Sequence, residues 1–176
     1  MARADYTFRP VTRDDFPMIA AWLREPHVSG WWQSPQTELR LMDEDLDRDV
    51  MDLRLVCLED TPFAYIQDYP AHHWPAPQYA DLGPDTRAMD TFLGDPAYLG
   101  KGHGAGYLRQ RARDLIARGA TTVAVDPDPS NLRAVAAYRR AGFREHGLTP
   151  CEDGDIVLVM TFPAPRADPT TRPDTP

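Results

Sequence analysis

The chain has 176 residues, of which 42% are hydrophobic and 26% charged, a composition typical of one globular domain with a full core. Its net charge of -8 argues against the basic face of a nucleic-acid-binding protein, so we expect no nucleic-acid partner. Two cysteines without a C-x-x-C pattern exclude a disulfide framework and a zinc-ribbon site. Neither a signal peptide nor a bilayer-length apolar run is recognisable, so we expect a cytoplasmic protein without a membrane partner.

Hydrophobic periodicity in the first half of the chain predicts one strand, two helices and a hairpin. The helices follow from apolar residues three and four positions apart. The hairpin follows from two β-prone runs on either side of the polar residues 59–62. The predicted elements are strand 6–10, helix 14–24, helix 35–48, strand 53–58 and strand 63–69.

Two segments of the first half are predicted as loops. Residues 27–33 contain the adjacent tryptophans Trp31 and Trp32, which cannot both face one core from a strand, so at least one should line a surface or cleft. Residues 70–84 are rich in Pro, His, Trp and Tyr and form a long irregular loop. Loops of this length are often functional.

The second half predicts an alternation of strands and helices, which indicates a mixed α/β sheet flanked by helices. Glycines at 119 and 142 should end the two helices. The predicted elements are Thr86–Leu93, helix 102–117, strand 121–125, helix 132–140, strand 144–148 and strand 156–162. We therefore expect one domain over residues 1–162, followed by a disordered Pro-rich tail over residues 163–176.

Four alternating glycines, at positions 100, 102, 104 and 106, stand at the start of the 102–117 helix. Glycine lets the backbone approach a ligand closely. The free N–H groups and the positive dipole end of a helix N-terminus attract anions. The stretch therefore predicts a site for a phosphate-bearing cofactor.

Three other interpretations of this stretch are weaker. A P-loop would need Ser or Thr after the lysine, which Lys101 lacks. A dinucleotide fingerprint is formally present at Gly100, Gly102 and Ala105, with Asp126 downstream. However, residues 94–97 interrupt the approach of the preceding strand, which that fold requires to be continuous. A glycine-rich loop without a ligand would not need four glycines at the head of a long helix.

The sequence resembles the GNAT N-acetyltransferases, and in particular the aminoglycoside 6'-N-acetyltransferase branch. The resemblance runs from about residue 6 to 161. It rests on Leu99-Gly-Lys-Gly-His-Gly opening a helix, on Asp128-Pro-Ser-Asn-Leu-Arg-Ala, on Ala137-Tyr138 and on Ala141-Gly-Phe143. Leu99 replaces the usual Gln or Arg of the cofactor motif, a departure shared with the aminoglycoside branch and with the related siderophore acyltransferases.

The resemblance implies a GNAT acyl-CoA N-acyltransferase fold with acetyl-CoA as the cofactor. Backbone N–H groups from Gly100 to Ala105 would hold the pyrophosphate, which agrees with the helix N-terminus there. The edge of strand Thr86–Leu93 would pair with the pantetheine arm. The cofactor residues implied are Phe92, Leu93, Leu99, Gly100, Lys101, Gly102, His103, Gly104, Ala105, Asn131, Ala134 and Tyr138.

Two residues are implied as catalytic. Asp90 stands among apolar residues of its strand, where burial would raise its pKa and suit it to proton transfer, although alternation alone equally allows it to face solvent. The resemblance makes Asp90 the general base and Tyr138 the general acid for the departing thiolate. From residue type alone, Tyr138 is more typical of a core tyrosine, and Asn131 of a helix cap.

The resemblance also implies an acceptor site of acids and aromatic residues, as a polycationic small-molecule amine requires. The loop 70–84 departs from the family in composition and length, and no metal site is expected at His72 and His73 because no third ligand has suitable spacing. The acceptor residues implied are Trp32, Gln67, Tyr69, Asp90, Asp126 and Asp153.

We therefore expect an acetyl-CoA-dependent N-acetyltransferase that acts on a primary amine of an aminoglycoside-like molecule by direct attack. A siderophore or amino-acid side-chain acyltransferase is an alternative, with a histidine base and Asp90 dispensable. A non-catalytic acyl-CoA sensor is another, disfavoured by the joint presence of Asp90, Asn131 and Tyr138. A monomer or a homodimer is expected.

Overall fold

A computed structural model describes residues 5–163 of the protein. The predicted tail lies outside the described residues, apart from Pro163, which ends the last strand rather than beginning a tail. No helix between residues 5 and 163 has the length and apolar character needed to cross a membrane.

The described chain contains seven strands, five α-helices and three short 3₁₀ segments. The strands are β1 (Thr7–Pro10), β2 (Asp52–Leu58), β3 (Thr61–Pro70), β4 (Thr86–Leu93), β5 (Thr122–Val125), β6 (Arg144–Pro150) and β7 (Ile156–Pro163). The helices are α1 (Phe16–Leu23), α2 (Pro26–Ser29), α3 (Pro35–Leu46), α4 (His103–Ala117) and α5 (Leu132–Ala141). The 3₁₀ segments are Arg13–Asp15, Pro77–Tyr79 and Pro96–Tyr98.

The strands form one mixed sheet in the order β1-β2-β3-β4-β5-β7-β6. All neighbouring pairs are antiparallel except β4 and β5, which run parallel. The β2–β3 hairpin turns through Glu59 and Asp60, both with positive φ, as a two-residue hairpin turn requires. The mixed sheet and its helices confirm the predicted mixed α/β fold.

The sheet opens between its two parallel strands. β4 pairs with β3 along almost its whole length, from Arg87 to Leu93, but it pairs with β5 only from Thr86 to Ala88. Beyond Ala88 the β5-facing edge of β4 therefore has no strand partner. This opening lies beside the start of α4 and is the feature of the fold that positions the site.

Side chains alternate between two apolar layers on opposite faces of the sheet. Tyr65 and Phe92 belong to a core cluster with α1, α2 and α3. Ile66 and Met89 belong to a larger cluster with α4 and α5. Residues that are neighbours along β3 or β4 thus face different layers, which explains the nearly continuous apolar character of these strands.

Several boundaries differ from the sequence prediction by one or two residues, and the predicted irregular loop 70–84 contains the 3₁₀ segment Pro77–Tyr79. Two larger differences have a clear physical reason. The predicted loop 27–33 begins within α2, because Pro26 suits the first helical turn and Val28 is buried as an anchor. Helix α3 ends at Leu46, earlier than predicted. The carboxylates of Asp45 and Asp47 at this end oppose the negative pole of the helix dipole and disfavour its continuation.

Candidate active site

The glycine-rich stretch forms an open cradle at the N-terminus of α4. Gly100 and Gly102 have positive φ values of 71° and 83°, and Gly102 is the N-cap of the helix. A Cβ atom at either position would meet no other atom within 4 Å, so the space in front of this backbone is empty. The cradle therefore fits the pyrophosphate of a coenzyme A, which would approach main-chain N–H groups there.

A cavity of about 540 Å³ extends from this cradle along the free edge of β4 to α5. All the predicted cofactor residues except Lys101 line it. Lys101 is exposed and lies outside the cavity wall. The predicted residues on the wall are Phe92, Leu93, Leu99, Gly100, Gly102, His103, Gly104, Ala105, Asn131, Ala134 and Tyr138.

His103 is held at the cradle by aromatic neighbours. The Tyr6 hydroxyl lies 3.1 Å from its Nδ1 atom, and the rings of Phe63 and Tyr98 lie beside the imidazole. Burial, together with the charge of Lys101, lowers the pKa of His103, so the neutral ring is favoured. His103 therefore offers the cavity a hydrogen-bonding group rather than a fixed positive charge.

Asn131 and Tyr138 both lie on the cavity wall contributed by α5. The Asn131 side chain accepts a hydrogen bond from the Ala134 N–H at 3.2 Å, which confirms the cap role considered from sequence. The Tyr138 ring is buried against Phe143. Burial raises the pKa of Tyr138 well above its usual value, so its hydroxyl keeps its proton, as a proton donor requires.

Tyr107 is a second buried tyrosine on the cavity wall, and sequence reasoning missed it because its helical spacing is that of a core residue. Thr91 donates to the Tyr65 carbonyl at 2.5 Å, so its oxygen must accept the hydrogen bond from the Tyr107 hydroxyl at 2.9 Å. The Tyr107 oxygen therefore keeps its acceptor capacity. Burial raises the pKa of Tyr107 to about 12.

Asp90 lies on β4 directly opposite Gln67 of β3. The Gln67 amide donates to its Oδ2 atom at 2.9 Å, and the Tyr65 hydroxyl in turn donates to the Gln67 Oε1 atom at 2.6 Å. Burial, reinforced by the negative charge of Asp126, raises the pKa of Asp90 to about 7. A carboxylate of this basicity can exchange a proton near neutral pH.

Two further carboxylates, those of Asp126 and Glu152, lie near Asp90. The Gln78 amide nitrogen donates to Asp126 at 3.1 Å and to Glu152 at 2.8 Å. Burial raises the pKa of Asp126. Asp153, the predicted acceptor residue of this turn, is exposed, as is its neighbour Glu152, which accepts the hydrogen bond from Gln78. Two adjacent acids in a turn carry no local sequence signal that distinguishes their partners.

Tyr69 and Trp32 are the predicted aromatic residues of the acceptor site. Tyr69 lies two residues after Gln67 on β3, so it faces the same side of the sheet as Asp90, and the charge of Asp90 is the main reason that the pKa of Tyr69 is raised. Trp32 packs edge-on against Phe92, with ring centroids 4.9 Å apart, and lines the cavity. Tyr69 also contacts Trp74 of the predicted loop.

His27 is another residue of the cavity wall that the sequence did not indicate. Its Nε2 atom donates to the Leu93 carbonyl at 2.8 Å, so it caps the end of the free β4 edge.

Trp31, also on the wall, is 48% exposed, so the expectation that one tryptophan of the pair lines a cleft is confirmed for both.

The arrangement brings a donor cavity and a group of carboxylates together along β4. Thr91, Phe92 and Leu93 line the cavity, and Asp90, one residue before them, contacts Gln67 outside its wall. Such a site can hold a thioester-bearing cofactor along the strand edge and accept a proton from an amine beside it.

Comparison with known families supports this interpretation. A model of the acetyltransferase (GNAT) domain matches residues 11–149. The chain is 29% identical over 166 residues to the aminoglycoside N(6')-acetyltransferase type 1 of Klebsiella pneumoniae, covering 88% of this chain and 81% of the relative. It is 36% identical over 81 residues to a kanamycin resistance protein of Rhizobium radiobacter, covering 46% of this chain and 75% of that protein.

Solved structures of AAC(6')-Ib share the fold. One with acetyl-CoA superimposes with a TM-score of 0.80 at 27% identity, covering 90% of this chain and 93% of the other. One with coenzyme A and kanamycin superimposes with a TM-score of 0.79 at 27% identity, covering 90% and 95%. With the glycine cradle at α4 and the opening beside β4, these matches show that the chain belongs to the GNAT acetyltransferases.

Proposed function

We propose that this protein transfers the acetyl group of acetyl-CoA to the 6'-amine of an aminoglycoside, with Asp90 as general base and Tyr138 as general acid. The observation that carries the proposal is Asp90, a carboxylate with a pKa near 7 placed one residue from the cavity along the β4 edge. The relatives and neighbours that act on or bind aminoglycosides support the choice of acceptor.

The chain supplies two kinds of contact to acetyl-CoA. The N–H groups at Gly100–Ala105 would bind the pyrophosphate, and the unpaired β4 edge would bind the pantetheine amides as an added strand does. The cofactor contributes a thioester carbonyl that an amine can attack. Phe92, Leu93 and Trp32 give the cavity an apolar wall beside which that carbonyl would lie.

Proton movements are assigned to Asp90 and Tyr138. Asp90 takes a proton from the acceptor ammonium group, which frees the nitrogen lone pair for attack on the thioester carbon. As the C–S bond breaks, the Tyr138 hydroxyl gives its proton to the sulfur. The proton that the nitrogen then loses replaces the one that Tyr138 gave up, and Asp90 releases its proton to solvent, so both residues return to their starting states.

A turnover assay tests this proposal. We expect the protein to release coenzyme A thiol from acetyl-CoA when kanamycin is added, and NMR of the product to show acetylation at the 6'-amine. Gly102→Val is the matched control, because a β-branched residue is strained at a φ of 83° and fills the cradle, so thiol release should stop. Turnover only with hydroxylysine-type amines, or acetyl-CoA binding without turnover on any amine, would contradict the proposal.

A further inference from the structure

Gln78 occupies an unusual position in the loop between β3 and β4. It lies in the 3₁₀ segment Pro77–Tyr79 and is 4% exposed. Its single amide nitrogen bridges two carboxylates from elsewhere in the chain, Asp126 after β5 and Glu152 before β7. One amide with two hydrogens thus donates to both acids at once.

The two bridged acids have no cationic partner. The ion pairs formed by residues 5–163 involve other carboxylates, so neither Asp126 nor Glu152 contacts a Lys or Arg side chain in this part of the chain. Burial raises the pKa of Asp126, and the hydrogen bond from Gln78 opposes that rise. A neutral amide is a weak partner for two carboxylates, and an ammonium group would form stronger, charge-assisted hydrogen bonds.

The 3₁₀ segment itself leaves a polar atom unsatisfied. The Gln78 Oε1 atom is buried without a hydrogen-bond partner among the described residues, whereas the Tyr79 hydroxyl lies close to Asp126 and lowers the pKa of that carboxyl. Buried polar groups without partners cost free energy. The segment thus carries a cost at the carboxylate pair that a ligand supplying donors could relieve.

We propose that the Gln78 side chain occupies the place of an acceptor ammonium group, so that Gln78 determines how many positive charges the acceptor site accepts. A polycationic acceptor must displace this amide to reach Asp126 and Glu152, whereas an acceptor with one amine needs only Asp90. Gln78 therefore favours acceptors of lower charge. This inference rests on the proposed function, because it assigns specificity within the same acceptor site.

Binding measurements on Gln78 variants test the inference. Gln78→Met keeps the side-chain volume and removes the amide, so the dissociation constant for kanamycin should fall at least about tenfold, with a steeper dependence on salt. Gln78→Lys places a permanent ammonium group at the pair and should raise that constant by about tenfold or more. Gln36→Ala, at an exposed position of α3, is the control and should change neither value.

Calorimetry with kanamycin and with spermidine separates this inference from the proposed function. Gln78-dependent binding of spermidine without acetylation of kanamycin would overturn the proposed function and keep the inference. Acetylation of kanamycin with unchanged or weaker binding to Gln78→Met would overturn the inference alone. Failure of both polycations to bind either the wild-type protein or Gln78→Met would overturn both.

Discussion

Asp68 lies on β3 and Asp90 on β4, one position apart in the pairing of the two strands. Their surroundings nevertheless give the two carboxylates opposite roles. Asp68 is 1% exposed and receives hydrogen bonds from the guanidinium groups of Arg87 and Arg111. Within residues 5–163, Asp90 accepts a side-chain hydrogen bond from the Gln67 amide alone, and Asp126 adds like charge. The first carboxylate is held in the core by two guanidinium groups, and the second, with its raised pKa, can exchange a proton near neutral pH.

This difference predicts the effect of Asp90→Asn on stability. The pKa of Asp90 is raised from 3.8 to about 7 in the folded protein, so the folded state binds a proton more tightly than the unfolded chain between these values. Stability is therefore lost as pH rises from about 4 to 7 and stays low above 7. We expect Asp90→Asn to raise Tm by several degrees at pH 8, and by much less near pH 4.

Thermal unfolding followed by circular dichroism at both pH values checks this. Gln67→Ala supplies a second comparison, because it removes a donor to the Asp90 carboxylate and should lower Tm at pH 8. An Asp90→Asn variant that is less stable at pH 8 than the wild type would show that the charged carboxylate stabilises the fold.

Among the structural elements, α4 carries the cradle and is fixed to the sheet through a buried charge. Arg111 is 1% exposed; it donates to Asp68 at 3.0 Å and 2.5 Å and to Asp52 at 2.7 Å. Its guanidinium also lies over the Phe8 ring. The helix that bears Gly102 is thereby tied to β1, β2 and β3.

Removing one partner of this buried network leaves carboxylates without compensation. We expect Arg111→Met to destabilise the protein by about 3–5 kcal/mol, seen as a fall in Tm of about 10 °C. Arg113→Met is the matched control, because Arg113 lies on the same helix and is exposed. Its Tm should change by no more than about 2 °C. Equal changes in Tm in the two variants would mean that the ion pairs of Arg111 do not stabilise the packing of α4 on the sheet.

For the molecule as a whole, the sequence predicted most of the residues that line the cavity proposed for the acetyl donor. The glycine spacing placed the cradle at the head of a helix, and the β4 bounds Thr86–Leu93 are those of the structure. The cradle and the strand bounds both depend on local features, namely the conformations open to glycine and the strand preference of β-prone residues. A sequence displays such features directly. The predicted acetyl-CoA donor is confirmed by the family and its neighbours.

The contacts that the sequence did not predict join residues far apart in the chain. Gln78 meets Glu152 across 74 positions, and Arg111 meets Asp52 across 59. A buried arginine and a buried glutamine have the same local signature as their exposed counterparts. Tyr107 fitted a core position equally well. Only the packing of sheet, loop and helix gives these side chains their partners.

The pH dependence of kcat/KM for kanamycin acetylation, measured on the wild type and on Asp90→Asn, tests the central claim most directly. If Asp90 takes the amine proton, kcat/KM of the wild type should fall about tenfold per unit below pH 7 from loss of the carboxylate. Asp90→Asn should lower kcat/KM by about 10²-fold or more at pH 8 and should lack that dependence on a group near pH 7. An Asp90→Asn enzyme with wild-type kcat/KM and an unchanged profile would contradict the assignment.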